Sequence, residues 1–480
     1  MSTTTSSGYE RDGPLTGRPA HAPDASSQLG GGIYLGTTPG GWAWAGAERS
    51  VLVLGPSRSG KSSALVIPNV LCAGGAVVST STKPDVMAAT AAWRRSTGST
   101  LLFDPSGTVD PPPGVVRVGW SPVTASAEWD GALAVADAMV RSARGRAGRG
   151  AVSAEDHWTE RATALMAPLL HAAARRGDSM ATVLSWVDRH RGEDALDALA
   201  DRVGADHPAA NVLSGILTTD GREQSGIWST ASGVLAAYRS SAALASTEPP
   251  YLDPEAFCAG RHTLYICASG RHQQLLAPLV VGLVGDVRDA AYERARHGGG
   301  GPPVLLALDE VAHIAPLPDL PAMVSEGAGQ GLLTLACLQD LSQARSQWGE
   351  QADAFLSLFG TTVVLPGIAD MRTLDALSTL GGEVEVATRT LGVSSVAGRG
   401  RQHSVSVAGT TRRRLPVDVA ARGRAGSALA LDSANRLGWV GLTPAHAVSP
   451  WRELSRGRLP GRDGPALGRG PGPGPVGRDR

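Results

Sequence analysis

The chain has almost no lysine. Of its 44 basic residues only Lys61 and Lys83 are lysines; the rest are arginines. A sequence that avoids lysine yet keeps one at position 61 marks a place that needs a compact ammonium on a flexible stem, which a planar guanidinium does not replace. Phe, Tyr and Trp together make up 4% of the chain, so strands and helices must pack mainly through Val, Leu and Ala. The four cysteines, Cys72, Cys258, Cys267 and Cys337, form no C-x-x-C pair. No His cluster stands near them, which excludes a zinc framework. Each lies in or beside an apolar run and reads as a small buried hydrophobe in a reducing cytosol. No stretch reaches the roughly 18 uninterrupted apolar residues that a membrane span requires. The longest, Ala64 to Val78 and Leu275 to Val287, are broken by Pro, Asn or Gly. The N-terminus lacks a basic-then-apolar leader. Acidic and basic residues balance at 44 each, so overall charge names no partner. His157, His171, His272 and His313 show no metal spacing, and neither a Ser-His-Asp arrangement nor a nucleophile elbow is visible.

What remains is organised in blocks. At 480 residues there is room for roughly three domain-sized units. Residues 1–32 are rich in Ser, Thr, Gly and Pro and read as a disordered tail. Over 33–124 short apolar runs (Ser50 to Leu54, Ala76 to Ser79, Thr100 to Phe103) alternate with helical stretches, the pattern of a parallel α/β sheet. Over 125–240 the strand runs vanish. Trp158, Ala162, Leu165, Met166, Leu169 and Leu170 share one helical face, and Met180 to Val187 and Ala209 to Leu217 also read as helices. The α/β pattern returns over 241–452, with strands expected at Thr263 to Cys267, Val304 to Leu308, Leu332 to Leu338 and Thr361 to Leu365, and a helix from Gln273 to Ala295. One α/β domain is thus expected to be split by an all-α domain. Residues 386–440, rich in Arg, Ser and Gly, take no assignment. Residues 453–480 read as a disordered basic tail.

The strongest motif is Gly55-Pro56-Ser57-Arg58-Ser59-Gly60-Lys61-Ser62-Ser63. It matches G-x-x-x-x-G-K-[ST] without a mismatch, after the apolar run Val51 to Leu54 and before the helical run Ser62 to Val66. Glycines let backbone N–H groups turn inward around phosphates. Lys61 is placed to reach the β- and γ-phosphates of ATP, and the Ser62 hydroxyl to ligate Mg2+. The second motif, Val304 to Leu308 followed by Asp309-Glu310, puts carboxylates at the end of a buried strand. Asp309 would hold the magnesium and Glu310 would polarise the attacking water as general base. Such a run also suits a helix N-cap. Gln339, at the end of Leu335 to Leu338, is placed either to sense the γ-phosphate or as a solvent-facing loop residue. Lys83 and Asp104 end strands expected on the same sheet edge, and surface roles fit them equally.

Taken in order, these pieces resemble the type IV secretion coupling proteins, the TraG/TraD-like conjugation ATPases. The matching residues are Val51 to Ser62, Ile67-Pro68-Asn69, Ser81-Thr82-Lys83, Phe103-Asp104-Pro105, Arg222-Glu223-Gln224-Ser225-Gly226-Ile227, Asp309-Glu310, Leu338 to Gln343, and Gly367-Ile368-Ala369-Asp370. They span residues 33–385. The resemblance implies a RecA-like P-loop NTPase domain carrying an all-α domain and assembled as a homo-hexamer. It implies coupling of ATP hydrolysis to delivery of single-stranded DNA with its relaxase, or of protein cargo, to secretion-channel proteins. Three departures stand out. Family members usually carry N-terminal membrane helices; here a cytoplasmic chain recruited to the inner face of the membrane is expected. Thr82 stands where the family often has an acid. Gly327-Ala328-Gly329-Gln330-Gly331 lacks an arginine finger, which would have to come from elsewhere, such as Arg345 or Arg372, or be absent. Two other functions fit the motifs: another hexameric DNA-translocating ATPase, or a nucleotide-binding cargo adaptor with little turnover. Arg399, Arg401 and Arg412-Arg413-Arg414 are candidates for nucleic-acid contact.

Overall fold

The structure is a computed structural model that describes residues 32–46, 48–144, 152–268, 273–396 and 399–458. His272 and nearly all of both expected tails lie outside these residues.

Fourteen strands are present: β1 (Tyr34–Thr38), β2 (Gly41–Trp44), β3 (Val51–Leu54), β4 (Val77–Ser81), β5 (Thr100–Phe103), β6 (Val115–Arg117), β7 (Thr263–Cys267), β8 (Val304–Leu308), β9 (Leu332–Leu338), β10 (Thr361–Val364), β11 (Glu383–Val396), β12 (Arg399–Arg413), β13 (Ser427–Asp432) and β14 (Leu437–Gly441). Twelve form one sheet in the order β2-β1-β14-β13-β10-β3-β9-β8-β4-β7-β5-β6. From β10 to β6 every pairing is parallel. Those strands are continuous apolar runs because both faces of a parallel sheet are covered by helices. The other edge departs from the parallel sheet expected. β13, β14, β1 and β2 join it antiparallel, and β13 and β14 come from the unassigned stretch.

The early helices are α1 (Ile67–Cys72), α2 (Asp85–Arg94), α3 (Trp129–Arg144), α4 (Val152–Arg176), α5 (Met180–Asp188), α6 (Gly192–Arg202), α7 (Pro208–Leu217), α8 (Gly221–Val234), α9 (Ser241–Ala245) and α10 (Pro254–Ala259). They are followed by α11 (Gln273–Arg296), α12 (Val311–Ile314), α13 (Leu320–Glu326), α14 (Leu341–Trp348), α15 (Phe355–Leu358), α16 (Met371–Leu380), α17 (Val417–Arg422) and α18 (Trp451–Ser455). No strand interrupts α3 to α10 among the described residues. This helical part shares one apolar cluster with the sheet: Leu165, Met166 and Trp228 belong to the same core as Leu52, Leu306 and Leu338. Ile227 of the Arg222–Ile227 motif is buried there too. Gly226 is required by packing, since a Cβ would fall 2.4 Å from the Trp158 ring. The four cysteines are buried and free. α18 carries ordered structure past residue 453, where a tail was expected: Leu454 is buried.

Arg94, at the end of α2, is buried yet no carboxylate holds it among the described residues. Its Nε donates to Thr263 Oγ1 at 2.6 Å, Nη1 to Ala73 O at 2.7 Å, and Nη2 to Gly75 O and Arg261 O at 2.8 and 3.0 Å. Burial pulls its pKa down to about 10, so the charge survives at neutral pH. One guanidinium thereby ties α2 to the loops feeding β4 and β7. Arg94→Ala strands several buried acceptors, each worth roughly 1–3 kcal/mol. Thermal or urea unfolding is expected to show a loss of ~3 kcal/mol, with Arg94→Lys recovering only part, because a single ammonium cannot reproduce the fork.

Candidate functional site

β3 lies inside the sheet with β10 and β9 on either side. Its end opens into the Gly55–Ser63 loop. Gly55 N donates to Leu338 O at 3.1 Å, anchoring the loop's first residue on β9. A Cβ there would stand 2.8 Å from Leu365 Cβ and 2.9 Å from Ser59 Oγ, so only glycine fits. Arg58 and Gly60 take positive φ of 63° and 96°, turning the loop back on itself. A π-helical turn at Ser62–Val66 then runs directly into α1. Lys61 is 8% exposed. Its Nζ donates to Gly55 O at 2.5 Å and Pro56 O at 2.9 Å, so the ammonium stands inside the loop. Ser59 Oγ is buried with no hydrogen-bond partner.

The acidic pair meets this loop. Ser62 Oγ donates to Asp309 Oδ2. Thr80 Oγ1 donates to Asp309 O at 3.2 Å and Asp309 N to Thr80 O at 3.3 Å, locking the end of β8 to β4. Burial pushes the Asp309 carboxyl up from the ordinary carboxylate range. The Ser62 hydroxyl and the Lys61 charge pull it back, and Glu310 and Asp85 push it up again. Glu310 sits in the left-handed region at φ 54°, ψ 47°, and its side chain makes no capping bond to α12. The N-cap role that also suits an Asp-Glu pair is therefore not the one adopted. A non-glycine residue in this region costs on the order of 1 kcal/mol.

Gln339 ends β9, the strand between β3 and β8. Its Nε2 donates to Ser57 Oγ at 3.2 Å and its backbone N to Gln343 Oε1 at 2.8 Å. Gln343 Nε2 in turn lies 3.2 Å from His313 Nε2 on α12. A hydrogen-bonded path thus runs from the loop to the helix following Glu310, and Gln339 itself is half-buried. Gln343 ends the Leu338 to Gln343 motif but was given no role of its own, and His313 belongs to no motif; Gln343 falls four residues after Gln339, one helical turn on.

Lys83 and Asp104 follow β4 and β5 on the same sheet edge as the loop, as expected, but three and five strand places from β3, or ~14 and ~24 Å along it. Lys83 is exposed. The Asp104 carboxylate builds its own loop, accepting from Ser106 N, Gly107 N and Val109 N at 3.1, 3.1 and 2.8 Å and pairing with Arg117 at 3.5 Å. Arg345 does not project as a finger: it forms a 2.6 Å ion pair with Asp370. Arg372 is exposed. Arg412 and Arg413 end β12, and Arg413 Nη1 is 3.2 Å from both Asp375 Oδ1 and Ser378 Oγ. Asn69 of Ile67-Pro68-Asn69 now has a role. It accepts from Tyr34 N at 2.7 Å and donates to Tyr34 O and Leu65 O, both at 2.9 Å, stapling β1 to the helix behind the loop.

Comparison with known proteins agrees with this geometry. The family described as type IV secretory system conjugative DNA transfer matches residues 12–416. Conjugal transfer protein TraG of Escherichia coli is 25% identical over 330 residues, covering 62% of this chain and 49% of that protein; the chain spans about half the length of this curated relative. The unbound bacterial conjugative coupling protein TrwBdeltaN70 superposes with a TM-score of 0.60 at 19% identity, covering 82% of this chain and 85% of that one. Plasmid coupling protein TrwB in complex with ADP and Mg2+ gives the same score and identity over 83% and 86%. The fold is that of a RecA-like P-loop NTPase with an inserted all-α part, and the chain belongs to the type IV secretory system conjugative DNA transfer family.

Proposed function

We propose that this chain binds ATP with Mg2+, hydrolyses it, and uses the energy to couple relaxase-bound DNA or protein cargo to a type IV secretion channel. The observation that carries this is the convergence of Lys61, Ser62 and Asp309 at the ends of β3 and β8, with Gln339 reaching Ser57 from the strand between.

The residues present fit the nucleotide and its metal. Among the described residues Lys61 donates to carbonyls of its own loop, a position from which it can turn to phosphate. The unpartnered Ser59 hydroxyl faces no protein acceptor. Magnesium prefers one or two protein oxygens completed by phosphates and water, which the Ser62 and Asp309 pair supplies. Bound Mg2+ would neutralise charge developing on the transferred phosphoryl group. Asp309, pushed up by burial, would be held ionised by such a cation. Glu310 would orient and deprotonate water, and Gln339 would register phosphate loss and pass it to Gln343 and His313. TrwB in complex with ADP and Mg2+ and with the non-hydrolysable ATP analogue ADPNP supports the ligand assignment.

We further read residues 125–240 as the part that meets cargo, the working form as a homo-hexamer, and the site of work as the inner face of the membrane beside a membrane partner. No helix among the described residues is long and apolar enough to cross a membrane itself. The Arg345–Asp370 pair favours a second possibility, an adaptor that binds nucleotide but turns over slowly. Phosphate release with and without single-stranded DNA decides between them. A motor gives at least fivefold stimulation and a hexamer by native mass measurement with ATP and Mg2+. Slow turnover indifferent to DNA leaves the adaptor.

A further inference from the structure

The β11–β12 ribbon takes no part in the main sheet. Its strands pair only with each other, from Glu383↔Arg413 to Ser395↔Arg401, with a shift that sets Val396 opposite Arg399. At about 3.4 Å per residue the arm extends roughly 45 Å from its root. Val384 and Val386 on β11 and Val407 on β12 are 41%, 39% and 59% exposed. Arg412 pairs with Val384 and Arg389 with Val407, so these valines lie on opposite faces, and each face carries an exposed valine. A lone two-stranded ribbon is at best marginally stable in water; this one is built to lie against something.

Its composition says what. From Val386 to Arg414 there is no Asp or Glu, against six arginines (Arg389, Arg399, Arg401, Arg412, Arg413, Arg414) and eight Ser or Thr residues. The chain as a whole balances acid and base, so positive charge has been segregated here. The acids, Glu383 and Glu385, stand only at the root. Arginine and hydroxyl donors are the groups that contact phosphate oxygens. The ribbon also contains no Phe, Tyr or Trp. Grips on single strands draw on several large aromatic rings on which bases stack, and the ribbon offers only the His403 imidazole. The shape that remains, a narrow two-stranded basic ribbon, fits the ~12 Å major groove of B-form DNA.

We propose that the β11–β12 ribbon is a grip on duplex DNA, lying along the major groove with its arginines and hydroxyls on the flanking phosphates. This rests on the DNA-handling function above and adds which form of DNA is held and by what. The root is tied to the nucleotide site. Arg413 holds Asp375 and Ser378 of α16, and Ser378 Oγ donates to Leu415 O at 2.6 Å. At the other end of α16, Asp370 pairs with Arg345 of α14 and Thr373 Oγ1 accepts from Leu341 N at 3.0 Å, two residues after Gln339.

The test titrates the full chain into a labelled 30-base-pair duplex of mixed sequence, and into its single strand, by fluorescence anisotropy over a salt series. One variant shortens the ribbon by joining Glu385 to Thr411 through Asn-Gly, a tight hairpin turn. A second, Arg389→Ser/Arg399→Ser/Arg401→Ser, keeps its length. Both are expected to bind duplex at least tenfold more weakly while binding a fluorescent ATP analogue as the parent does. The triple substitution should also lower the salt slope by roughly two to three units. Duplex binding within twofold of the parent in the shortened chain overturns the ribbon's role and leaves the DNA function standing. Tighter binding of the single strand, lost on shortening, overturns the assignment to duplex. An oligomer that dissociates on shortening while duplex binding persists makes the ribbon an arm between copies of this chain. A parent chain that binds neither form of DNA removes the ribbon's role and the DNA function together.

Discussion

Lys61→Ala is expected to abolish ATP hydrolysis. The ammonium is nearly buried and held at 2.5 and 2.9 Å by the carbonyls of Gly55 and Pro56, so it is positioned before any phosphate arrives. Preorganised charge of this kind typically contributes ~10²- to 10³-fold in rate, and Lys61 should also contribute to binding the β- and γ-phosphates. Steady-state phosphate release measures the loss, with thermal melting as a control. The site lies at the rim of the sheet rather than in its core, so the variant should melt within a few degrees of the parent. Turnover within about twofold of the parent would remove the phosphate loop from the chemistry. Lys61→Arg should fail as well. A planar guanidinium carries five donors in a fixed fork, and the slot between two carbonyls of a closed loop admits a single ammonium.

The second large effect is at Glu310. Glu310→Gln should keep nucleotide affinity and lose turnover by roughly 10²- to 10⁴-fold, the usual contribution of a general base. Ser62 and Asp309, the proposed metal oxygens, are untouched by this change, so binding of a fluorescent ATP analogue in Mg2+ should stay within threefold. Asp309→Ala should do the reverse and weaken the Mg2+-dependent part of binding. The backbone sharpens the distinction. Glu310 adopts φ 54°, which a glycine would adopt with less strain. Glu310→Gly is therefore expected to raise thermal stability slightly while destroying turnover, a trade seen where strain is kept for function. Parallel loss of binding and turnover in Glu310→Gln would instead make Glu310 a metal ligand or a structural residue.

The parts of this site that were legible in the sequence are those where chemistry constrains contiguous residues. The phosphate loop needs its glycines, lysine and serine within nine positions, and β8 announces itself as five apolar residues running into two acids. The parallel strands were legible for a related reason: buried on both faces, they are plain apolar runs. Legibility failed where the partner is remote. Asp104 ends a strand in the expected way, but its distance from the loop depends on strand order, which places β9, β8, β4 and β7 between β3 and β5. Arg345 was available as a finger until its neighbour Asp370, 25 residues on, proved to hold it. Arg94 carried no signal at all, because its acceptors, backbone carbonyls and the Thr263 hydroxyl, lie on two segments remote in sequence. β13 and β14 are short, with apolar runs at Ala428 to Leu431 and Trp439-Val440 hemmed by Gly, Ser, Asp and Arg, too little for periodicity to report.

The antiparallel edge has a consequence for how the protein is made. Thr37 of β1 donates to Gly441 of β14 across 404 positions of sequence. Around that seam Tyr34, Trp42 and Trp451 pack ring against ring with centroids 4.8–5.4 Å apart. At about 5–20 residues per second a ribosome delivers the second half of the seam ~20–80 s after the first. By then every strand around the phosphate loop, β3, β8, β9 and β10, has been synthesised. From the completion of β10 to that of β14, ~4–15 s at that rate, the nascent chain holds all the pieces of a nucleotide pocket while the edge of β10 and an aromatic cluster stand open to water. Open edges recruit other strands, so a chaperone or the nucleotide itself is expected to govern how much of this protein survives its own translation.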